Sequence, residues 1–216
     1  MINQTHDPHA ATPTLHAGVP LAQARVAMIM LHGRGSSADD ILGLAEPLVA
    51  ADVAYLAPQA AANTWYPYRF VAPVASNEPW LSSALARIDG LLAHVAAAGI
   101  PAERTILLGF SQGACLTLEY AARNPQRYGG IAGLSGALIE NGDTHRSYSG
   151  SLAGTPVFLG CNEIDPHIPA GRVERSAEIF TALGATTTLR FYPGEGHSVY
   201  IDEIEAVRDL IASARG

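Results

Sequence analysis

One pentapeptide of this chain has the residue types and the spacing of a reactive serine. Residues 109–113 read Gly-Phe-Ser-Gln-Gly and fit the pattern Gly-x-Ser-x-Gly, in which a strand turns sharply into a helix with the serine at the apex. The glycines are required because a strained turn leaves no room for side chains beside the serine. The flanks agree, since residues 105–108 are a β-prone apolar run and residues 114–122 read as a helix. The pattern predicts that Ser111 is the nucleophile of a hydrolytic reaction.

Such a serine needs a histidine nearby, because a hydroxyl is a poor nucleophile until a base removes its proton. Where this elbow occurs, the acid and then the histidine follow the serine in sequence. His145, His167 and His197 lie downstream of Ser111. His197 stands in a glycine-rich loop between the last predicted strand and the last predicted helix, so it is the predicted base. We interpret His145 and His167 as exposed or structural residues.

The acid that orients the histidine is expected at the end of the strand before the last one. That strand, residues 156–160, runs into two candidates, Glu163 and Asp165. Pro166 follows Asp165 and supplies a fixed turn that can aim a short carboxylate, although an Asp-Pro pair can also be no more than a turn. The position between nucleophile and base favours Asp165, and Glu163 is expected to face solvent.

Hydrolysis through a tetrahedral intermediate also needs two preset N–H donors for the oxyanion. One donor is expected from the residue after the nucleophile, Gln112. The other is expected from the tight loop after the first buried strand, residues 32–35, which reads His-Gly-Arg-Gly. We assign this second donor to the N–H of Arg34.

A long loop, residues 59–77, is rich in aromatic side chains and is predicted to cross the mouth of the pocket above the strand ends. The residues predicted to bind substrate, most of them in this loop, are Trp65, Tyr66, Arg69, Phe70 and Trp80. Arg69 has two interpretations. It is either a surface arginine stacked on a ring or a group that attracts an ester carrying a negative charge.

The elements that must position these residues alternate between apolar strands and helices. Continuous apolar runs such as residues 25–31 and 53–58 are typical of strands buried on both faces. The alternation predicts an α/β fold with a mostly parallel central sheet and helices on both faces. We expect one domain over residues 14–216 after a flexible segment, residues 1–13. Only about 20 residues separate the strands around position 134 and position 155, so a large lid is not expected.

Composition excludes several classes of function. The chain has 216 residues, 48% of them apolar, and a net charge of −7 with 13 scattered basic residues, which argues against a nucleic-acid or anionic-membrane surface. Cys115 and Cys161 are expected to be buried thiols. No metal or other cofactor is expected, because His6, His9 and His16 lack ligand spacing. Without a signal peptide or membrane span, we expect a cytoplasmic monomer or homodimer.

The order of these motifs resembles the phospholipase/carboxylesterase family of α/β-hydrolases. The motifs concerned are residues 31–35 (Leu-His-Gly-Arg-Gly), 56–59 (Leu-Ala-Pro-Gln), 109–113, 165–166 and 194–198 (Gly-Glu-Gly-His-Ser). The resemblance implies the α/β-hydrolase fold, Ser111, Asp165 and His197 as triad, and Arg34 and Gln112 as oxyanion donors. Two departures concern the predicted pocket wall. Ser36 stands where many members carry an acidic residue. Residues 65–70 read Trp-Tyr-Pro-Tyr-Arg-Phe, where thioesterase-like members often carry Trp, an aromatic residue and Asp.

Three functions are compatible with these residues. The leading hypothesis is a serine carboxylesterase that hydrolyses small to medium acyl esters through an acyl-serine intermediate. The first alternative is an acyl-protein thioesterase or lysophospholipase, which would use the same groups on long acyl chains. The second alternative is a ligand-binding protein on a hydrolase scaffold. The expected partner in the first case is a small-molecule ester, with no nucleic acid and no membrane insertion.

Overall fold

The structure is a computed structural model that describes residues 7–48, 50–142, 144 and 146–216. Within these residues, seven strands form one sheet in the order β1-β3-β2-β4-β5-β6-β7. The strands are β1 (Thr14–Gly18), β2 (Val26–Leu31), β3 (Val53–Pro58), β4 (Thr105–Phe110), β5 (Gly130–Leu134), β6 (Pro156–Ile164) and β7 (Thr186–Glu195). The helices are α1 (Ala38–Leu42), α2 (Trp80–Ala97), α3 (Gln112–Arg123), α4 (Ala170–Ala182) and α5 (Ile201–Ala214).

The sheet is parallel from β3 to β7, as the alternation of elements predicts. Strand β1 is the exception, since it pairs antiparallel with β3 at the sheet edge, with Thr14 opposite Pro58. Strand β1 was not predicted, since the sequence pattern indicates no strand before residue 25. The reason is that β1 is an edge strand whose side chains are all half-buried or exposed, so it lacks the continuous apolar run of a central strand.

Both faces of the sheet are covered by helices, which confirms the predicted α/β-hydrolase architecture. Strand β2 illustrates this, because Ala27, Ile29 and Leu31 belong to one apolar core and the alternate residues to the other. Helices α2, α3 and α4 contribute to the first core. Helices α1 and α5 contribute to the second.

One residue near the start of the described chain, His9, is anchored in the core. The flexible segment over residues 1–13 stays a prediction, because four of residues 7–13 are exposed and residues 1–6, including His6, lie outside the described residues. The ring of His9 is fully buried, and its backbone N–H donates to Ser83 Oγ at 3.0 Å. Its neighbours are mostly polar or small, so the composition of this segment did not reveal the buried anchor.

The sheet brings three chain segments to one edge, because the carboxyl ends of parallel strands lie on the same side. Ser111 follows β4, Asp165 follows β6, and His197 lies two residues beyond β7. The described residues between β5 and β6 contain an isolated bridge between Asn141 and Thr144 and no helix. This agrees with the prediction that no large lid covers the site. No helix of the described chain has the length and apolar character needed to cross a membrane.

Candidate active site

The turn at Ser111 has the strained geometry of a nucleophile elbow. Ser111 adopts φ 54° and ψ −118°, a conformation that an L-residue with a side chain holds only when its surroundings impose it. A Cβ on Gly109 would lie 2.3 Å from the carbonyl oxygen of Gly113, and a Cβ on Gly113 would lie 2.1 Å from the carbonyl oxygen of Leu31. The two glycines are therefore required by close backbone approach.

The structure brings Ser111, His197 and Asp165 together in one hydrogen-bonded chain. Ser111 Oγ lies 2.8 Å from Nε2 of His197, and Nδ1 of the same ring lies 2.7 Å from Asp165 Oδ2. With its proton on Nδ1, the ring donates to the carboxylate and leaves Nε2 free to accept the serine proton. This is the geometry required of a nucleophile, a base and an orienting acid.

The loop that carries Asp165 holds the carboxylate in place. Asp165 Oδ1 accepts hydrogen bonds from the backbone N–H groups of His167 at 2.8 Å and Ile168 at 3.0 Å, so both carboxylate oxygens have partners. The Asp165 side chain is fully buried. Glu163, the other candidate acid, is exposed, as the sequence analysis expects.

The two N–H groups assigned to the oxyanion are available at the same site. Gln112 is the first residue of α3, whose first N–H groups have no partner within the helix. Arg34 lies in the tight turn after β2, and neither its N–H nor that of Gln112 donates to another described residue. The positive end of the α3 dipole adds to the attraction for an anion at this point.

A cleft of about 380 Å³ opens beside Ser111. Its lining residues are Gly33, Arg34, Ser36, Tyr66, Arg69, Phe70, Phe110, Ser111, Gln112, Cys115, His167, Ile168 and His197. Three of the five predicted substrate-binding residues, Tyr66, Arg69 and Phe70, are among them. The cleft is thus formed by the aromatic loop on one side and the acid and histidine loops on the other.

Trp65 and Trp80 do not line the cleft, which corrects the prediction that they bind substrate. Trp65 is fully buried, and its indole Nε1 donates to the carbonyl of His32 at 2.8 Å. The Trp65 ring packs between His9 and His32, and Trp80 packs edge-on against His9 with 5.5 Å between ring centroids. The fully buried Trp65 indole, with its N–H bonded to His32, supports the aromatic loop from behind, and the half-buried Trp80 ring packs on His9.

The Arg34 side chain holds the aromatic loop, a role that the sequence analysis did not foresee. Its guanidinium donates to the carbonyls of Tyr66, Pro67 and Tyr68 at 3.0, 2.8 and 2.7 Å. Arg34 therefore connects the predicted oxyanion loop to the opposite wall of the cleft. The sequence shows only that Arg34 lies in a glycine-rich turn, which does not indicate the partners of its side chain.

Two buried histidines act as backbone anchors behind the site. The ring of His32 lies 2.8 Å from the Gly33 carbonyl and accepts from the Ala60 N–H at 3.0 Å. His9 makes the equivalent pair of bonds, to the Trp65 carbonyl and from the Ala61 N–H, each at 3.0 Å. Burial lowers the pKa of both imidazoles, so they remain neutral and accept and donate as these bonds require.

His167 is exposed, in line with the prediction of an exposed or structural residue, and it also lies beside the predicted base. Its ring lines the cleft and meets the His197 ring nearly at right angles, with 4.8 Å between centroids. The signal that could have found it is its position two residues after Asp165, in the loop that must approach the base. His145, the other histidine interpreted as exposed or structural, lies outside the described residues.

Both cysteines are free and buried, as predicted. Cys115 lies at the floor of the cleft, and Cys161 Sγ lies 3.6 Å from Asp165 Oδ2. Burial raises the pKa of each thiol to about 12, so neither ionises to a nucleophilic thiolate at neutral pH. The described residues contain no group of three His, Cys, Asp or Glu side chains placed to hold a metal ion.

Comparison with known proteins shows the family. Residues 19–214 match the family model described as phospholipase/carboxylesterase. The crystal structure of a phospholipase/carboxylesterase from Dyadobacter fermentans is 43% identical, with a TM-score of 0.88, and covers 94% of this chain and 97% of that chain.

Two fungal relatives are named acyl-protein thioesterase 1. The Eremothecium gossypii protein is 30% identical over 213 residues, which covers 88% of this chain and 88% of that protein. The Gibberella zeae protein is 36% identical over 122 residues, and this match spans 52% of the chain and about half of the relative, 49%. With the family model covering most of its length, the chain belongs to the phospholipase/carboxylesterase family of hydrolases.

Proposed function

We propose that this protein is a serine carboxylesterase that hydrolyses small to medium acyl esters. The observation that carries the proposal is the unbroken hydrogen-bonded chain from Ser111 Oγ through the His197 ring to Asp165, with separations of 2.8 and 2.7 Å. Family membership supports hydrolytic chemistry. The strained elbow presents the serine at the edge of an open cleft, where an ester can reach it.

In the proposed mechanism, Ser111 Oγ attacks the ester carbonyl carbon while Nε2 of His197 accepts the hydroxyl proton. Asp165 stabilises the imidazolium, and the N–H groups of Arg34 and Gln112 donate to the oxyanion. Collapse of the intermediate breaks the ester C–O bond, and His197 returns the proton to the leaving alkoxide. Water then attacks the acyl-serine with His197 as base, which frees the carboxylic acid and restores Ser111.

The preference for small to medium acyl groups rests on the cleft. Its volume of about 380 Å³ is near the lower end of the usual range for ligand pockets, about 300–1,000 Å³. Its apolar lining consists of a few side chains around the elbow, namely Tyr66, Phe70, Phe110, Cys115 and Ile168. Arg34 and Arg69 interrupt this apolar surface, which suits a short acyl group better than a long one.

The second candidate is hydrolysis of long-chain acyl groups by the same residues. The observation that favours it is the name of the two fungal relatives, acyl-protein thioesterase 1. A panel of esters with acyl chains of two to sixteen carbons, set beside a palmitoyl thioester, separates the two. Highest kcat/KM on short esters supports the carboxylesterase, and highest kcat/KM on the palmitoyl thioester supports this alternative.

Labelling of the serine tests whether the protein is an enzyme at all. A fluorophosphonate reacts with an activated serine, so we expect stoichiometric labelling of the wild-type protein and none of the Ser111→Ala variant. Absence of labelling in the wild type, together with tight binding of ester-like ligands, would instead support a binding protein on a hydrolase scaffold.

A further inference from the structure

The cleft has a charge opposite to that of the protein as a whole. The chain carries a net charge of −7, yet the described residues that line the cleft include two arginines and no carboxylate. Asp165 lies behind His197 with its side chain fully buried. Asp40 is not among the lining residues, although it contacts one of them, since it accepts from the Ser36 hydroxyl at 2.8 Å. A positively charged cleft in a negatively charged protein attracts anionic ligands.

The two arginines differ in how their donors are used. The guanidinium of Arg34 donates three hydrogen bonds to backbone carbonyls of the aromatic loop. Arg69 is exposed, and Nη2 makes one bond, at 3.3 Å, to the carbonyl of His167. A guanidinium has five N–H donors in a fixed fork, and the other donors of Arg69 bond no further described residue. Arg69 can therefore offer two parallel hydrogen bonds to a ligand.

The position of Arg69 relates these donors to the chemistry. Its one bond joins the aromatic loop to the loop of Asp165, and both His167 and Ser111 line the same cleft. The ring of His167, the residue whose carbonyl Arg69 bonds, contacts the ring of His197. An anionic group bound by Arg69 would therefore lie in the same cleft as Ser111.

We propose that Arg69 is a specificity residue that binds a second, anionic group of the substrate. The substrate class is an ester that also carries an ionised oxygen acid, a carboxylate or a phosphate, within a few bonds of the ester. The guanidinium fork matches both groups. This inference rests on the proposed function, because it names the substrates of the same site. Hydrolysis of a dicarboxylic half-ester would consume water and release the dicarboxylate, an alcohol and a proton.

Matched pairs of esters test the proposal. In the first pair, monoethyl succinate carries a carboxylate oxygen where the neutral ethyl levulinate carries a methyl group. In the second pair, the phosphate ester of monobutyrin is the charged member and monobutyrin is the neutral one. We expect the wild type to prefer the charged member of at least one pair by about tenfold or more in kcat/KM, the usual size of a charge-assisted hydrogen bond. The pair that shows the preference identifies the carboxylate or the phosphate as the anion.

Substitutions assign the preference to Arg69. Arg69→Gln is expected to reduce the preference for the charged ester at least tenfold through a higher KM, and Arg69→Lys is expected to retain part of it. Arg104→Gln is the matched control, because Arg104 is exposed at the amino end of β4 whereas Ser111 follows the carboxyl end. Equal effects of Arg69→Gln on charged and neutral esters, or no preference in the wild type, would overturn the proposal.

A binding measurement keeps this result separate from the proposed function. Calorimetric titration of the Ser111→Ala protein with succinate and with inorganic phosphate measures the subsite without turnover. We expect one of the two anions to bind with an affinity that falls at high salt and is lost on adding Arg69→Gln. If the wild type hydrolyses neutral esters but the Ser111→Ala protein binds neither anion, the anion subsite at Arg69 is overturned and the esterase proposal stands. Anion binding without hydrolysis or serine labelling would overturn the esterase and leave the subsite.

Discussion

The side-chain amide of Gln112 is bonded to the backbone carbonyl of Tyr66, with Nε2 donating at 2.7 Å. The Oε1 atom of the same amide accepts from the Trp65 N–H at 2.9 Å. Gln112, the residue after Ser111, is thus proposed to act through two different atoms. Its backbone N–H is the proposed oxyanion donor, while its side chain bonds the aromatic wall of the cleft.

Removal of the Gln112 side chain is expected to loosen this wall. Gln112→Ala leaves the Trp65 N–H buried without its partner, which costs about 1–3 kcal/mol of unfolding free energy. Urea unfolding measures the loss, and KM for a short ester is expected to rise because the cleft wall moves. Gln23→Ala, at an exposed glutamine, is the control, and an equal effect of the two substitutions would show that the amide does not hold the loop.

The triad assignment predicts a sharp contrast between two neighbouring acids. Ser111→Ala and His197→Ala are expected to lower kcat by several orders of magnitude, and Asp165→Asn by about 10⁴-fold, because the three act as a unit. Glu163→Gln is expected to leave kcat within about twofold, since Glu163 is exposed while the Asp165 side chain is buried against His197. Steady-state kinetics on a butyrate ester decide the matter. A severe loss in Glu163→Gln would show that the wrong acid has been assigned.

The elbow glycines are expected to tolerate no side chain. Gly113→Ala would place a Cβ 2.1 Å from a backbone oxygen of β2, which cannot move without disturbing the sheet. We expect a loss of at least about 3 kcal/mol of unfolding free energy, or failure to fold. Gly90→Ala is the matched control in α2, where a Cβ meets nothing within 4 Å, and it is expected to stabilise by about 0.5–1 kcal/mol. Thermal unfolding of both variants compares them directly, and similar melting temperatures would contradict the prediction.

A buried carboxyl at the start of α5 is expected to make stability depend on pH. Glu203 is fully buried, with Oε2 accepting from the Tyr200 N–H at 2.8 Å, and burial raises the pKa of its carboxyl from 4.5 to about 7. Below pH 4.5 the group is neutral in the folded and unfolded states and costs nothing. Between pH 4.5 and 7 the unfolded chain ionises this carboxyl while the folded protein keeps it protonated, so the free energy of unfolding falls by about 3 kcal/mol over that range and levels off above pH 7.

The Glu203→Gln variant tests this dependence. We expect it to be more stable than the wild type at pH 8 and to lose the decline between pH 4.5 and 7, as measured by urea unfolding across that range. Glu205→Gln, on an exposed position of the same helix, is expected to leave the decline in place. Parallel stability curves for the wild type and Glu203→Gln would show that the carboxyl is not held at a raised pKa.

The open cleft predicts ordinary saturation kinetics. The described residues between β5 and β6 form no helix that could cover Ser111, so substrate needs no interface to uncover the site. We expect the rate on tributyrin to follow a single hyperbola through the solubility limit. A sharp rise in rate when droplets form would reveal a mobile cover.

The local pattern of the chain predicted the elbow, the six strands from β2 to β7 and the sequence order of the proposed triad residues. A Gly-x-Ser-x-Gly turn needs its glycines wherever it occurs, and apolar runs of strand length are buried on both faces in a parallel sheet. Parallel strands also bring the chain after β4, β6 and β7 to one edge. The choice of Asp165 and His197 therefore followed from position in the sequence.

Only the tertiary structure decided which side chains of the aromatic loop face the cleft. Trp65 and Phe70 lie in the same loop and look equally suited to bind substrate, yet one is enclosed by His9 and His32 and the other lines the cleft. The anchors of Trp65 come from residues 56 and 33 positions away, and irregular loops have no periodicity that would reveal which side is inward. The edge strand β1 and the use of Arg34 as a clamp depend in the same way on partners distant in sequence.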